Sequence, residues 1–118
     1  MENKVKIMSE QLLTIVTEAL DDKKGKQIEV IDVRGKCSFA NDIVIVTGSS
    51  SRHVKSLANE VSMESKKTGL IPLGVEGMDA GEWVLVDLGD TIVHIMQPKT
   101  REFYQLEKLW SVEAELNV

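Results

Sequence analysis

Sulfur chemistry is nearly absent from this sequence, because Cys37 is the single cysteine in 118 residues. No internal disulfide can form, and no Cys or His stands near Cys37 at metal-ligand spacing. It sits in a Gly/Lys/Ser stretch without a histidine to activate it, so it is a poor nucleophile, and a reducing cytoplasm is its natural compartment. Aromatic side chains make up only 4% of the chain. Proline occurs twice, at Pro72 and Pro98, each at a junction between patterned segments. No apolar stretch approaches the roughly 20 residues that span a bilayer, which excludes a helical membrane protein. The first eight residues carry Lys4 and Lys6, but Ser9, Glu10 and Gln11 interrupt the apolar run that a secretory signal needs, so none is expected. An excess of basic charge is also missing: 14 Lys and Arg face 19 Asp and Glu, for a net charge of −5. A protein that grips nucleic acid mainly through phosphates concentrates its cations, whereas these are scattered. Lys23, Lys24 and Lys26 cluster, but directly after Asp21 and Asp22. Extensive RNA binding and direct DNA binding are therefore disfavoured, and an acidic body suits a basic protein partner.

The chain does have the balance of an ordinary globular domain, 42% hydrophobic and 28% charged, long enough for one core and too short for two. One domain over residues 1–118 is expected. Ser9 is a plausible N-cap for a helix in which Leu12, Leu13, Val16, Ala19 and Leu20 recur at helical spacing to about Gly25. Residues 28–33 and 42–47 read as strands joined by a polar connector. Gly48-Ser49-Ser50-Ser51 breaks the pattern before a second helix marked by Val54, Leu57, Ala58 and Val61, which stops at Gly69. Residues 70–75, containing Pro72, suit an edge strand. Residues 83–88 and 91–96 form a hairpin around Gly89-Asp90. Pro98 opens a last helix, with Phe103, Leu106 and Trp110 on one stripe, and the acidic tail after Ser111 is expected to fray. The order α-β-β-α-β-β-β-α implies an α/β (α+β) domain, a single mixed five-stranded sheet covered by helices.

Three constellations are candidates for function. Gly48 to Arg52 is a strand-to-helix turn of the kind that holds a phosphate, and nucleotidyltransferases begin similarly. Such enzymes also need clustered carboxylates for Mg²⁺, and the strand Trp83-Val84-Leu85-Val86-Asp87 offers one. A serine-capped helix without ligand is the simpler reading. His53 and His94 lack the carboxylates that would make a metal site, and no G-x-S-x-G elbow supports a catalytic triad. Neither a catalytic residue nor a metal nor a cofactor is expected.

The third constellation is the hairpin itself. A two-residue loop sets Val86 against Val93 and Val84 against Ile95, which are β-branched pairs suited to lie beneath helices. The other face then carries Trp83 with Met96, Leu85 with His94 and Asp87 with Ile92. That mixture fits a half-wet interface; cover by the last helix or by a second copy of the chain is the alternative.

The blocks 42–48, 50–54 and 72–77 resemble the ribosomal silencing factor (Iojap/YbeB) family, as do Trp83 to Asp90, Val93 to Gln97 and Tyr104 to Trp110. The resemblance covers about residues 12–110. It implies a non-catalytic domain with a nucleotidyltransferase-like core that lacks the catalytic carboxylates. It implies a partner too: the large ribosomal subunit, bound through protein number fourteen of its series on the subunit-joining face. The small subunit is then blocked and translation repressed when nutrients run short. Homodimers also belong to the family's pattern. By position, Trp83 and Tyr104 are carried over to the docking surface. The hairpin register adds Leu85, His94 and Met96, and Lys108 lies one turn beyond Tyr104.

Overall fold

The computed structural model describes residues 2–36 and 38–108; Cys37, Trp110 and the tail after Ser111 lie outside them. Three helices and five strands succeed one another as α1 (Glu2–Asp22), β1 (Lys26–Asp32), β2 (Asp42–Thr47), α2 (Ser51–Lys67), β3 (Gly74–Glu76), β4 (Trp83–Asp87), β5 (Thr91–Met96) and α3 (Pro98–Tyr104). The α-β-β-α-β-β-β-α order expected from the sequence is observed.

The sheet runs β1-β2-β5-β4-β3. β2 and β5 pair in parallel at its centre, and the three other pairings are antiparallel. All six residues of β2 are buried, the mark of a strand covered on both faces. On one face α1 and α2 pack their apolar stripes, with Leu12, Val16, Leu20, Val54, Leu57 and Val61 among them. They meet Val44, Val46, Val84, Val86, Val93 and Ile95 from the sheet. The second face holds a smaller cluster of Val33, Ala40, Ile43, Ile45, Ile92 and Met96. Trp83, Leu85 and Leu106 pack against it and are only partly buried.

Local chemistry fixes the element ends, and several expected boundaries move. Ser9 does not cap α1; it lies well inside the helix, because no residue ahead of it breaks helical geometry. α1 instead ends through Lys24 at φ 63°, a left-handed position, and the Gly25 N–H bonds the Leu20 carbonyl at 2.7 Å. Ser50 is the N-cap of α2, its hydroxyl accepting the His53 N–H at 3.1 Å, and Gly69 at φ 93° comes directly after its C-cap Thr68. β3 is shorter than expected. Pro72 has no N–H to donate and holds Ile71 away from helical geometry, so pairing begins with Leu73 on the Asp87 carbonyl.

The last helix departs most from expectation. α3 ends at Tyr104 because Gln105 takes φ 47°, and residues 106–108 resume a helical path after the break. The stripe of Phe103 and Leu106 is therefore split: Phe103 is 80% exposed, while Leu106 packs on the second-face cluster.

Candidate functional site

The hairpin register is the one expected: Trp83 opposes Met96, Val84 Ile95, Leu85 His94, Val86 Val93 and Asp87 Ile92. Along the pairings across the sheet, one row of the second face reads Glu29, Ile45, His94, Leu85, Glu76. An apolar centre thus carries a carboxylate at each margin, and both glutamates are exposed.

Trp83, His94 and Tyr104 form one connected group on this face. The indole Nε1–H of Trp83 donates to Nδ1 of His94 at 3.0 Å, which leaves the His94 proton on Nε2. Burial pushes the His94 pKa down to about 4, so the neutral ring that accepts this bond is the form present near neutrality. The Tyr104 ring lies 4.8 Å from Trp83, tilted by 50°, and Phe103 stands edge-on to Tyr104 at 4.9 Å. Beside them a depression of about 230 Å³ is lined by Glu76, Gly77, Trp83 and Leu85.

Two expected members do not join this group. Met96 has no exposed surface and belongs to the core beneath the face, so it cannot touch a partner; it is removed from the docking set. Alternation gave its side correctly but not its cover. Lys108 lines a different depression, with Gln27, Thr47, Pro98 and Arg101, because the break at Gln105 redirects the chain after Tyr104.

Arg101 was missed by sequence reasoning. It is the buried residue of α3, 8% exposed. Its Nε–H donates to Glu107 Oε2 at 2.8 Å, and Nη1 donates to the Gln27 carbonyl at 2.7 Å and to Thr47 Oγ1 at 2.9 Å. Nη2 reaches Glu29 Oε2 at 3.4 Å. Burial works against the charged Glu107 carboxylate, but its backbone hydrogen bond and Arg101 outweigh this and hold its pKa below the usual value. The helix that presents Tyr104 is thus fastened to β1 and β2 by a guanidinium. No local signal marks such a residue, since its acceptors lie up to 74 positions away.

Part of the Gly48–Arg52 turn is engaged by the protein itself. The Gly48 N–H bonds the Met96 carbonyl, the Ser49 N–H bonds His53 Nδ1 at 2.8 Å, and the His53 and Val54 N–H groups bond Ser50. A Cβ at Gly48 would stand 2.7 Å from a Val54 methyl, so the helix fills the space above the turn. His53 Nε2–H reaches the Lys23 carbonyl at 2.8 Å, joining α2 to the end of α1. Asp87 lies at the opposite end of the sheet, about 13 Å from Trp83 along β4, and its carboxylate accepts the Gly89 N–H. The turn and that carboxylate cannot share a magnesium ion. Among the described residues no three His, Cys, Asp or Glu side chains converge to hold a metal, and no helix is long and apolar enough to cross a membrane.

The family model described as ribosomal silencing factor during starvation matches residues 6–118. The chain belongs to the ribosomal silencing factor family. A ribosomal silencing factor of Haemophilus influenzae is 48% identical over 100 residues, covering 85% of this chain and 98% of that protein. A crystal structure of a Chromobacterium violaceum protein superposes with a TM-score of 0.84 at 42% identity, over 86% of this chain and 84% of that one. A more distant relative is the mouse protein named mitochondrial assembly of ribosomal large subunit protein 1. It is 32% identical over 86% of this chain and 46% of its own length.

Proposed function

We propose that this protein silences ribosomes in the cytoplasm by docking on the large subunit, through the interface protein numbered fourteen, so that the small subunit cannot join. The carrying observation is the partly exposed Trp83–His94–Tyr104 group on a sheet face that, among the described residues, no long helix covers. Aromatic anchors of this kind, ringed by polar groups, are the centres of protein interfaces. Glu29 and Glu76 at the margins complement a basic partner. Family membership supports the ribosomal role, and the name of the mouse relative supports the large subunit. Trp83, Leu85, His94 and Tyr104 form the contact. The action is steric and involves no reaction: the turn that a nucleotidyltransferase would use lies at the opposite end of the sheet from Asp87, so no carboxylate of that strand can hold a magnesium ion beside it.

Co-sedimentation with separated ribosomal subunits is the test. The protein should travel with free large subunits and stay at the top of the gradient with small ones. Equal association with both would overturn the proposal. Sedimentation velocity of the free protein reads the homodimer that the family resemblance implies.

A further inference from the structure

The sequence places its cations in scattered positions, but the fold gathers three of them. Arg52, Lys55, Ser56, Asn59 and Glu60 succeed one another at helical spacing on the outer side of α2. The His53 bond to the Lys23 carbonyl brings Lys23 to the head of that stripe. Together they line an open groove of about 520 Å³. Among the described residues neither Lys23, Arg52 nor Lys55 forms an ion pair, although the chain as a whole carries a net charge of −5. A Cβ at Gly81 would stand 3.0 Å from Lys55 Cε, so the lysine stem lies over this glycine.

We propose that this groove is a contact surface for an RNA phosphate backbone. Unneutralised cations set between hydroxyl and amide donors match phosphate oxygens and ribose hydroxyls, the contacts that fix a protein's register on RNA without reading its sequence. The groove has no aromatic side chain, which separates it from the anchor-centred interfaces of protein partners. Met63 is its single large apolar residue, too little to insert into a lipid surface. Glu60, its one carboxylate, limits the affinity. Because α2 packs on the sheet face opposite Trp83, the RNA contact is independent of the aromatic face.

The test is fluorescence anisotropy of the full chain with a labelled 20-nucleotide RNA hairpin of arbitrary sequence. Binding on the order of 10 µM at low salt is expected, weakening by about 15- to 40-fold between 50 and 200 mM salt, as release from about three phosphates requires. The triple variant K23E/R52E/K55E should lose at least tenfold, with an unchanged circular dichroism melt. The variant K66E/K67E, which alters charge elsewhere on α2, should bind RNA like the native chain. Equal losses in K66E/K67E would show a net-charge effect and overturn the site. Full binding by the triple variant would overturn it too, and so would equally tight binding of a polyglutamate of matching charge.

Discussion

Tyr104 and Trp83 are neighbours on one face, yet truncating them should have different consequences. Tyr104 is 52% exposed and its ring rests on Trp83, so Tyr104→Ala should weaken large-subunit binding by about 2 kcal/mol with little change in the denaturant midpoint. Trp83 is half-buried and hydrogen-bonded to His94, so Trp83→Ala should lose binding and also about 2 kcal/mol of stability. Measuring both quantities on each variant separates anchor from core, and a large midpoint drop for Tyr104→Ala would place the interface elsewhere. His94 makes a further prediction. Its folded pKa, about 4, is depressed below the ordinary 6.5 by burial. Above pH 6.5 both states are neutral and the full stability is present. As the pH falls from 6.5 to 4 the unfolded chain takes a proton that the folded chain refuses, so stability should drop by up to about 3 kcal/mol and then level off. Asp42 works in the opposite direction as the pH falls through its raised carboxyl pKa, since burial pushes that carboxyl up from its ordinary value. Chemical denaturation of the native chain and of His94→Leu across pH 4–7 isolates the histidine: the variant's curve should be flatter in that window. Equal slopes would show that His94 is not the titrating group.

At the level of elements, α3 is the unusual one. It is seven residues long, and the residue it buries is a charged one. A helix that short has little stability of its own, so its position depends on what Arg101 grips. Arg101→Ala removes one donor each from Glu107, Thr47 and the Gln27 carbonyl and should cost about 3 kcal/mol. Arg101→Lys should recover only part of this, because an ammonium cannot fork between acceptors on β1, β2 and the segment after α3. Release of α3 should also uncover Trp83 and shift its fluorescence to longer wavelength; an unmoved spectrum would mean that α3 holds its place without Arg101. Legibility at this scale tracked the range of the interactions. The hairpin pairs were readable because a two-residue loop fixes every partner by counting. That a serine caps α2 was readable because a cap acts locally, although only the structure singles out Ser50, whose hydroxyl accepts the His53 N–H three residues away. By contrast, the turn at Gln105 runs against the local rule that favours glycine at positive φ. The burial of Met96 was hidden for a related reason: pleat alternation assigns a side chain to a face and says nothing of what lies over it.

For the whole molecule, the order of elements pointed to a mixed α/β sheet and composition to the lack of a concentrated basic face, and the five-stranded sheet agrees with the first of these. The second is true of the chain on average, while the packing of the end of α1 against α2 sets Lys23 in one groove with Arg52, about 29 positions further along. Family membership was legible from ordered blocks spread along nearly the entire chain, whereas the geometry of the aromatic group needed three-dimensional neighbours. The central parallel pair has a consequence for how the chain is made. β2 is buried on every residue, but the strand that covers its inner edge, β5, begins only at Thr91, long after Asp42. Until Thr91 to Met96 has been synthesised, Asp42 to Thr47 is a bare β-branched edge next to a single antiparallel neighbour. Such an edge is a template for pairing with another chain, and closing so long a loop is slow. Nascent chains interrupted before Thr91 are therefore the form of this protein most prone to aggregate, and chaperone capture should fall off once β5 has emerged.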